Sequence, residues 1–464
     1  MLTRNSWKVS AYKVLSKFKD RQSSYNHVSY LMANNFVTIL SQFLFAPLLT
    51  RVYSPEAYGV ASVLFALGLN ISTLLTMCYE QSLFFEVRQR NRDLISSTVV
   101  TWSFVVCSFI LLFVLLNPDA VSGVIGIPGG SFWMLLLLPV YIFILVLCNM
   151  SYIEVTLKKK YKDTFTWGAP GMVGSKFFSL GYGYIRGGHF SGLFLGEVLL
   201  KLYIALFRVL ISLKKNLGAY LLFSRKGIKK GLSLLRTYKR FPYYELPASY
   251  FSLFVGQVPI YFLTFLKANA VVGWFSISIS LLEAPIRLIS FSVSPILMQK
   301  LTEMKNNMDG YRKILEKTFT LIFLIILVPS LILFFYGKDL FSLFFGEKWI
   351  EAGIISSSFI FVYLFRFELD LLYNVLTVMG FQKKKFLVFL IEGIIRISLL
   401  VITYLIVRDP LRTIIIWASE CALVYYFVTL YAYGILRLKL TKLIILKTLV
   451  TGLFLLAFVW KFVI

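Results

Sequence analysis

Residues 132–154 read FWMLLLLPVYIFILVLCNMSYIE, an apolar run with one charged residue at its end. A run of this length can cross a bilayer as a helix, which requires about 20 mostly apolar residues. Similar runs lie on both sides of it, and the thirteen predicted spans are residues 28–50, 58–83, 95–116, 132–154, 164–186, 191–213, 246–266, 271–297, 316–336, 353–379, 385–407, 411–436 and 443–463. The chain is therefore predicted to be an all-α, polytopic membrane protein without a soluble domain.

The basic residues are concentrated in alternate gaps between the spans. The formal net charge is +26, which in a soluble chain would suggest a nucleic-acid partner. Here most Lys and Arg residues lie in the N-terminal tail and in the gaps that follow the second, fourth, sixth, eighth, tenth and twelfth spans. Because cytoplasmic loops retain positive charge, this pattern predicts a cytoplasmic N-terminus, and the basicity requires no nucleic acid.

The spans fall into two groups of six, and the second group repeats the first at an offset of 214 residues. That offset places Leu49-Thr50, Gly59 and Ser62 on Leu263-Thr264, Gly273 and Ser276. Repeats of this orientation, related by an axis along the membrane normal, occur in secondary transporters. The predicted organisation is a basic tail (1–27) that is either an interfacial helix or solvated, a six-helix bundle (28–213), a basic cytoplasmic linker (214–245), a second six-helix bundle (246–436) and an extra C-terminal helix (443–464) that either spans the membrane or lies at its periphery.

Charged residues inside the spans are candidate functional positions, because a charge in the bilayer needs a partner, water or a ligand. Deep cations suit an anion such as phosphate, which guanidinium groups bind in a bidentate manner. The predicted substrate-binding cations are Lys176, Lys201, Arg287, Arg366 and Arg396 within spans, with Arg51 at the outer mouth. The predicted ion-coupling acids are Glu197, Glu283, Glu368, Asp370 and Glu392.

Several of these charges lie four residues apart, which places them on one helical face. The pairs are Glu197/Lys201, Glu283/Arg287 and Glu392/Arg396, with Arg366/Asp370 in the reverse order. Mutual neutralisation within such pairs is the alternative to a ligand role. Lys176 has no acidic residue four positions away on either side, so we expect it to meet water, a distant carboxylate or an anionic ligand.

Polar stripes occur in the first helix of each half. Span 1 carries Asn34, Thr38, Ser41 and Gln42, and span 7 carries Ser249, Ser252, Gly256 and Gln257. Such stripes can join helices, but their presence in corresponding helices favours cavity lining, with Asn34, Gln42 and Gln257 as substrate contacts. All four cysteines lie within spans and only two histidines are present, so we predict no metal site, no cofactor and no catalytic residue.

Several short segments resemble one family of transporters. They are LLTRVYSPEAYG at residues 48–59, Tyr79-Glu80-Gln81, YKRFP at 238–242, GQVP at 256–259 and GWFS at 273–276. In these segments the chain resembles Wzx-type polysaccharide flippases. Those proteins belong to the superfamily that also contains multidrug and oligosaccharidyl-lipid exporters.

The resemblance implies a flippase for O-antigen or capsule repeat units in the bacterial inner membrane. Such a protein moves undecaprenyl-pyrophosphate-linked oligosaccharide from the cytoplasmic to the periplasmic leaflet. Two bundles arranged as a V rock between inward-open and outward-open states, and the lipid chain stays in the bilayer. The implied partners are the lipid-linked oligosaccharide, the bilayer, and the polymerase and chain-length machinery.

Coupling by a proton or sodium gradient is expected at one of the five acids, because burial and neighbouring charges tune when a carboxylate is ionised. The alternatives are a lipid II flippase or a multidrug exporter of the same superfamily. An enzyme, a membrane O-antigen polymerase, is an alternative of another class. It is disfavoured because none of the predicted outer gaps is long, so the chain is predicted not to be an enzyme.

Overall fold

The computed structural model describes residues 24–126, 132–214, 224–303, 308–379, 381–436 and 441–462, and these residues fold into helices without strands. The all-α prediction is confirmed. Thirteen long helices follow the thirteen predicted spans: α1 (Ser24–Val52), α2 (Pro55–Thr76), α3 (Gln89–Leu116), α4 (Phe132–Leu157), α5 (Tyr161–Ile185), α6 (Ser191–Leu206), α7 (Leu246–Phe265), α8 (Asn269–Glu303), α9 (Met308–Phe345), α10 (Ile350–Val378), α11 (Gln382–Val407), α12 (Pro410–Ile435) and α13 (Thr441–Phe462). The interfacial helix predicted in the tail lies outside the described residues, which begin at Ser24.

Eleven helices in the described part of the chain are long and apolar enough to cross a membrane. The two spans not among them are α5 and α6. Glycines and polar residues interrupt the apolar character of α5, and the α-helical part of α6 has only 16 residues before it continues as a π-helix over Phe207–Ser212. The protein is therefore a multi-pass membrane protein, and α13 (apolar from Leu443 to Phe462) belongs to the membrane-spanning set.

The turn between α1 and α2 is set by the sequence Ser54-Pro55. Ser54 is extended (φ −79°, ψ 162°), and its hydroxyl accepts a hydrogen bond from the Ala57 amide at 3.3 Å. Pro55 occupies the first helical position, where its fixed φ suits the helix and its missing N–H costs nothing. The far end of α2 differs from the predicted span, because Met77 and Cys78 adopt positive φ (48° and 56°) and end the helix.

The two halves meet where α2 and α8 begin. A Cβ atom on Gly59 would lie 2.0 Å from the Asn269 carbonyl oxygen, and one on Gly273 would lie 1.9 Å from the Pro55 carbonyl oxygen. Only glycine allows backbones this close. Gly59 and Gly273, the two glycines that the predicted repeat would make equivalent, therefore lie against each other.

Aromatic contacts surround this glycine pair. The Trp349 indole N–H donates to the Thr50 carbonyl oxygen at 2.9 Å, and the Tyr58 ring meets the Trp349 ring edge-on at 5.0 Å. Trp349 is completely buried. We call these residues (Thr50, Tyr58, Gly59, Gly273 and Trp349) the glycine seal. It lies at the end of the molecule that the charge pattern predicts to be outside.

Helix α10 is the centre of the C-terminal half, where it packs against α8, α9 and α12. Helix α13 joins this bundle, because Phe454 stacks on Phe361 of α10 with ring centroids 3.9 Å apart. The Tyr426 hydroxyl of α12 also bonds the Thr448 hydroxyl of α13 at 2.6 Å. The extra helix is therefore packed into the C-terminal bundle, a point that the sequence left open.

A short basic helix at Arg225–Thr237 lies in the linker between the halves, and we call it the linker helix. Gly231 faces α3 so closely that a Cβ atom there would lie 1.9 Å from the Thr98 hydroxyl oxygen. The Tyr79 hydroxyl donates to the Leu235 carbonyl oxygen at 3.3 Å. The linker helix therefore packs on the N-terminal half, at the end opposite the glycine seal.

Candidate functional site

A cavity of about 510 Å³ lies directly below the glycine seal. Its walls come from α2 in the N-terminal half and from α7, α8, α10, α11 and α12 in the C-terminal half. The lining begins at Ser62 and Phe275, within one turn of Gly59 and Gly273. The seal therefore closes the cavity at that end.

One wall of the cavity carries an ion pair between α8 and α10. Glu283 accepts hydrogen bonds from the Arg366 guanidinium at 3.1 Å and from the Tyr363 hydroxyl at 3.2 Å. Among the described residues, no ion pair joins Glu283 to Arg287 or Arg366 to Asp370, so the neutralisation within one helix that the spacing offered as an alternative does not occur at these two pairs. Neighbours four residues apart on one helix are replaced by a partner on the adjacent helix, because tertiary packing brings the cavity faces of α8 and α10 together.

A second ion pair lies on α11, as predicted. The Arg396 guanidinium is 3.4 Å from the Glu392 carboxylate, which also accepts a hydrogen bond from the Tyr373 hydroxyl at 2.7 Å. The guanidinium lies over the rings of Tyr425 and Trp417, at 5.0 and 5.6 Å from the ring centroids. Cation–π contacts of this kind favour a buried cation, so Arg396 is held on several sides.

Asp370 differs from the other cavity charges because it forms no ion pair with a described residue. It is exposed to the cavity and interacts at longer range with Arg366, Glu392 and Glu283. Counting the described residues, the cavity lining therefore contains three carboxylates and two guanidinium groups, an excess of one negative charge when all are ionised. Its remaining polar lining includes Ser62, Ser252, Gln257, Ser276 and Ser280.

Three predicted residues of the N-terminal half form a separate cluster on α5 and α6. The Lys201 ammonium lies 3.2 Å from the Glu197 carboxylate, so this predicted pair is confirmed. Lys176 interacts electrostatically with the same carboxylate. The cluster thus has two cations for one acid, and none of its members lines the cavity described above.

The other predicted residues are also distributed outside the cavity. The Asn34 side-chain oxygen is buried without a hydrogen-bond partner among the described residues, close to Gly168. Arg51 and Arg287 are exposed. Of the nine predicted substrate contacts, the cavity brings together Gln257, Arg366 and Arg396; of the five predicted coupling acids, it brings together Glu283, Asp370 and Glu392.

An apolar groove lies beside the cavity, between α1 of the N-terminal half and α8 and α9 of the C-terminal half. Its volume is about 590 Å³, and its lining is apolar except for Ser330 and Ser356. Phe43 and Pro47 form the α1 side, whereas Leu281 and Pro285 belong to the α8 side. Side chains at its rim, including Phe43, Ile325 and Phe344, are exposed on the surface of the protein, where a membrane would contact them.

A hydrogen bond between the halves lies next to both the groove and the cavity. The Gln42 side-chain amide of α1 donates to the Ser280 carbonyl oxygen of α8 at 3.2 Å. Ser280 lines the cavity, and the next residue, Leu281, lines the groove. Gln42 likewise precedes Phe43 of the groove. Gln42, predicted to contact the substrate in the cavity, therefore lies at the boundary between a polar and an apolar compartment. We call this contact between Gln42 and Ser280 the α1–α8 seam.

Glu368 lies on the opposite side of α10 from the cavity. It is 2% exposed, and its carboxylate accepts hydrogen bonds from the Lys447 ammonium and the Tyr433 hydroxyl. Lys447 is 1% exposed but is not among the predicted deep cations. It lies near the predicted start of the last span, directly after a basic gap, and so resembles the cytoplasmic basic residues of that gap. One signal was available: Glu368 has no basic residue four positions away, so it required a partner on another helix.

The sequence of this chain was compared with protein families and with curated proteins. A family model described as polysaccharide biosynthesis protein matches residues 48–353. No curated protein matches the chain by sequence.

Solved structures share the fold. The structure of the lipid II flippase MurJ in an inward closed conformation has a TM-score of 0.67 and 16% identity, over 88% of this chain and 87% of that one. An inward-facing multidrug resistance MATE family transporter of the MOP superfamily has a TM-score of 0.57 and 14% identity, over 89% and 95%. A MATE transporter of Vibrio cholerae has a TM-score of 0.50 and 11% identity, over 89% and 96%. Since the family model spans more than half of a chain with this transporter fold, the protein belongs to the polysaccharide biosynthesis protein family.

Proposed function

We propose that the protein is a flippase that moves undecaprenyl-pyrophosphate-linked oligosaccharides from the cytoplasmic to the periplasmic leaflet of a bacterial inner membrane. The observation that carries the proposal is a polar cavity and an apolar groove on two faces of α8, next to the α1–α8 seam. A molecule that fills both compartments needs a polar head joined to a long apolar chain. Membership of a polysaccharide biosynthesis family favours a sugar as that head.

The cavity lining suits an oligosaccharide. Carboxylates, guanidinium groups, serines and Gln257 supply hydrogen-bond donors and acceptors, and the lining also includes the rings of Tyr363, Tyr373, Trp417 and Tyr425. Binding cavities commonly combine aromatic walls with a few placed polar groups. A sugar ring presents both hydroxyl groups and C–H faces, so it can use both parts of this lining.

The apolar groove suits the lipid chain. Its walls would contact an isoprenoid chain through van der Waals packing, and because the bilayer is as apolar as the groove, the chain can exchange between them at little cost in free energy. Because the chain can remain in the groove or in the bilayer, only the head has to pass the seam. Gln42 and Ser280 then act as the lateral entrance for the head.

The phosphates of the head are recognised by exchange of ionic partners. Arg366 and Glu283 are both partly accessible, with 37% and 29% of their side-chain surfaces exposed, so a phosphate oxygen can take the place of the Glu283 carboxylate. A guanidinium binds phosphate strongly through paired hydrogen bonds. The released Glu283 then lies near Asp370, and one of these two carboxylates takes up a coupling proton or sodium ion to limit their repulsion.

Transport follows by alternating access of the cavity. The glycine seal closes one end, and a ligand shifts the equilibrium between states when it binds them with different affinity. The opposite state requires α2 and α8 to separate at Gly59 and Gly273, while the halves move as rigid bundles.

The test is transfer of a fluorescent undecaprenyl-pyrophosphate oligosaccharide between leaflets of proteoliposomes, followed by quenching with an impermeant reagent. We expect rapid transfer by the wild-type protein, strong loss with Arg366→Gln, and no loss with the control Arg412→Gln, whose side chain is exposed outside the cavity. Lys176→Ala tests the separate cation cluster in the same assay. Absence of wild-type transfer under any imposed ion gradient would refute the proposal, and elongation of the lipid-linked sugar would identify a polymerase instead.

A second candidate is a lipid II flippase, which is favoured by the similarity in fold to MurJ. Both substrates share the pyrophosphate and the isoprenoid chain, so the same cavity and groove would serve. Competition in the proteoliposome assay separates the two candidates, because the preferred substrate suppresses transfer of the other. Transport of a cationic dye without either lipid would identify a multidrug exporter.

A further inference from the structure

The buried cluster of Glu368, Tyr433 and Lys447 joins three helices outside the cavity. The Lys447 ammonium of α13 donates to the Glu368 carboxylate of α10 and, at 2.9 Å, to the Tyr433 hydroxyl of α12. The Tyr433 hydroxyl donates to the same carboxylate. All three residues are at most 2% exposed, so the cluster has no access to the cavity and takes no direct part in binding.

The position of Glu368 on α10 connects this cluster to the cavity. Arg366 and Asp370 lie four residues apart and both line the cavity. Glu368 lies midway between them, and two residues of an α-helix turn by about 200°, so its side chain leaves from the opposite face. Phe361, two turns before Glu368 and on the same rear face, stacks on Phe454 of α13.

Helix α10 is consequently held on both sides at the same level. On the cavity side, Glu283 of α8 holds Arg366. On the rear side, Lys447 holds Glu368. A rotation of α10 about its axis would separate the rear ion pair and leave two charges buried without partners, which is strongly unfavourable. The cavity-side pair is accessible and can be exchanged, whereas the rear pair is sealed.

We propose that Glu368, Tyr433 and Lys447 form a positioning clamp that fixes the rotation of α10 and thereby directs Arg366 and Asp370 into the cavity. These are positioning residues, because they act through α10 and not on a substrate. The role of the cavity in transport rests on the proposed function, but the clamp itself does not. Under this proposal α13 contributes to the orientation of α10. Glu368 is then a positioning residue and not one of the coupling acids.

The test measures the orientation of α10 without transport. A reporter thiol is introduced by Asp370→Cys in the full chain, and its reaction rate with a membrane-impermeant thiol reagent is measured in proteoliposomes. The four native cysteines are buried, and the unmodified chain gives their background. Ser252→Cys, on the cavity wall formed by α7, is the matched reporter on a helix that the clamp does not hold.

Each reporter is combined with Glu368→Gln, with Lys447→Met and with the milder Tyr433→Phe. Because loss of one member leaves another charge or polar group unbalanced, we expect the rate at the position 370 reporter to change about tenfold with the first two variants. Tyr433→Phe should give a smaller change in the same direction, and the position 252 reporter should be unchanged. The charge-reversed pair Glu368→Lys with Lys447→Glu should restore the original rate at position 370.

Two results would overturn the clamp. Unchanged labelling at position 370, even with lower thermal stability, would reduce the cluster to a stabilising contact. Parallel changes at both reporters would mean general loosening of the bundle. Since the readout is chemical labelling, failure of the flippase assay would leave this test intact, and failure of the clamp would leave the flippase assay intact.

Discussion

Arg366 and Glu283 illustrate how single side chains determine the properties of the cavity. Each is polar and partly accessible, and their bond of 3.1 Å joins α8 to α10 across the cavity wall. Close by, Asp370 adds a carboxylate that forms no ion pair with any residue of the described part of the chain. Ion pairs with some exposure are weak and exchangeable, whereas fully buried pairs resist exchange. The charged side chains of the cavity can therefore exchange their ionic partners when a charged ligand binds.

Substitution of Glu283 tests this exchange. In Glu283→Gln, Arg366 loses its ionic partner but keeps a hydrogen-bonding neighbour, so we expect phosphate-containing substrate to bind at least as well as in the wild type. Dependence of transport on an imposed pH or sodium gradient should fall about tenfold, because a carboxylate that releases and takes up the ion is lost. The measurement is transfer of the fluorescent lipid-linked oligosaccharide with and without each gradient.

The control for this experiment is Glu56→Gln, an exposed acid in the first turn of α2. It should retain wild-type gradient dependence. The coupling role would be refuted if gradient dependence stayed at the wild-type level in each of four variants: Glu283→Gln, Glu197→Gln, Asp370→Asn and Glu392→Gln. No accessible carboxylate of the predicted set would then couple transport to an ion, since the fifth acid, Glu368, is sealed.

At the scale of helices, the contact between α1 and α8 lies next to both the cavity and the groove, and the proposed function makes it the entrance for the polar head. A single neutral hydrogen bond, from Gln42 to the Ser280 carbonyl, contributes only about 0.5–1.5 kcal/mol. Such a contact can open and close readily. The groove beyond it is bordered by Pro47, Pro285 and Pro329, and proline inside a helix removes a backbone hydrogen bond and bends the helix.

Linking the two sides of the seam should stop transport. We expect the double variant Gln42→Cys with Ser280→Cys, treated with a short bifunctional thiol reagent, to lose lipid-linked oligosaccharide transfer. Each single variant treated in the same way should remain active. Full activity of the linked double variant, after mass spectrometry has confirmed the link, would place the entrance of the head elsewhere.

The linker helix is a second element whose attachment can be tested. In Gly231→Leu, a side chain would have to enter the space occupied by Thr98, so the linker helix should detach from α3. Its basic residues should then be cleaved by trypsin more rapidly, as expected for a segment with few buried contacts. Ser233→Leu, at an exposed position of the same helix, is the control. Equal cleavage of both variants would contradict the packing of Gly231 on α3.

At the scale of the whole molecule, the two halves meet at the glycine seal above a cavity that belongs mainly to the C-terminal half. The seal consists of a backbone contact between Gly59 and Gly273 and of an indole hydrogen bond from Trp349. Close packing without side chains tolerates no added volume, since overpacking costs about 1–3 kcal/mol. The closed state is thus sensitive to one methyl group.

Gly59→Ala should shift the molecule away from this closed state. We expect a thiol introduced by Ser62→Cys, just below the seal, to react faster with an impermeant reagent added on the predicted outer side. The increase should be about tenfold, because the free energy that corresponds to a tenfold change lies within the cost of overpacking. The control is Gly181→Ala, because a Cβ atom at Gly181 meets nothing within 4 Å. Faster labelling in both variants, or in neither, would contradict the role of the seal.

Local features of the sequence predicted the helices and the contacts made within one helix. Length and hydropathy predicted thirteen spans. Spacing of four residues predicted the pairs Glu197/Lys201 and Glu392/Arg396, and the repeat predicted the equivalence of Gly59 and Gly273. Helices form at all thirteen predicted spans because the bilayer selects helices by length and apolarity, and eleven of them in the described part of the chain are long and apolar enough to cross a membrane. The two ion pairs form because residues four apart always share a helical face.

Tertiary structure alone decided which helix faces meet. The partners of Arg366 and Lys447, Glu283 and Glu368, lie 83 and 79 residues away in the chain, so helical spacing cannot reveal them. The separation of the predicted cations into a cavity set and an α5–α6 set follows from packing as well. In the membrane a buried charge must find a partner or water, but the sequence specifies only that need, and the arrangement of the bundles determines where it is met.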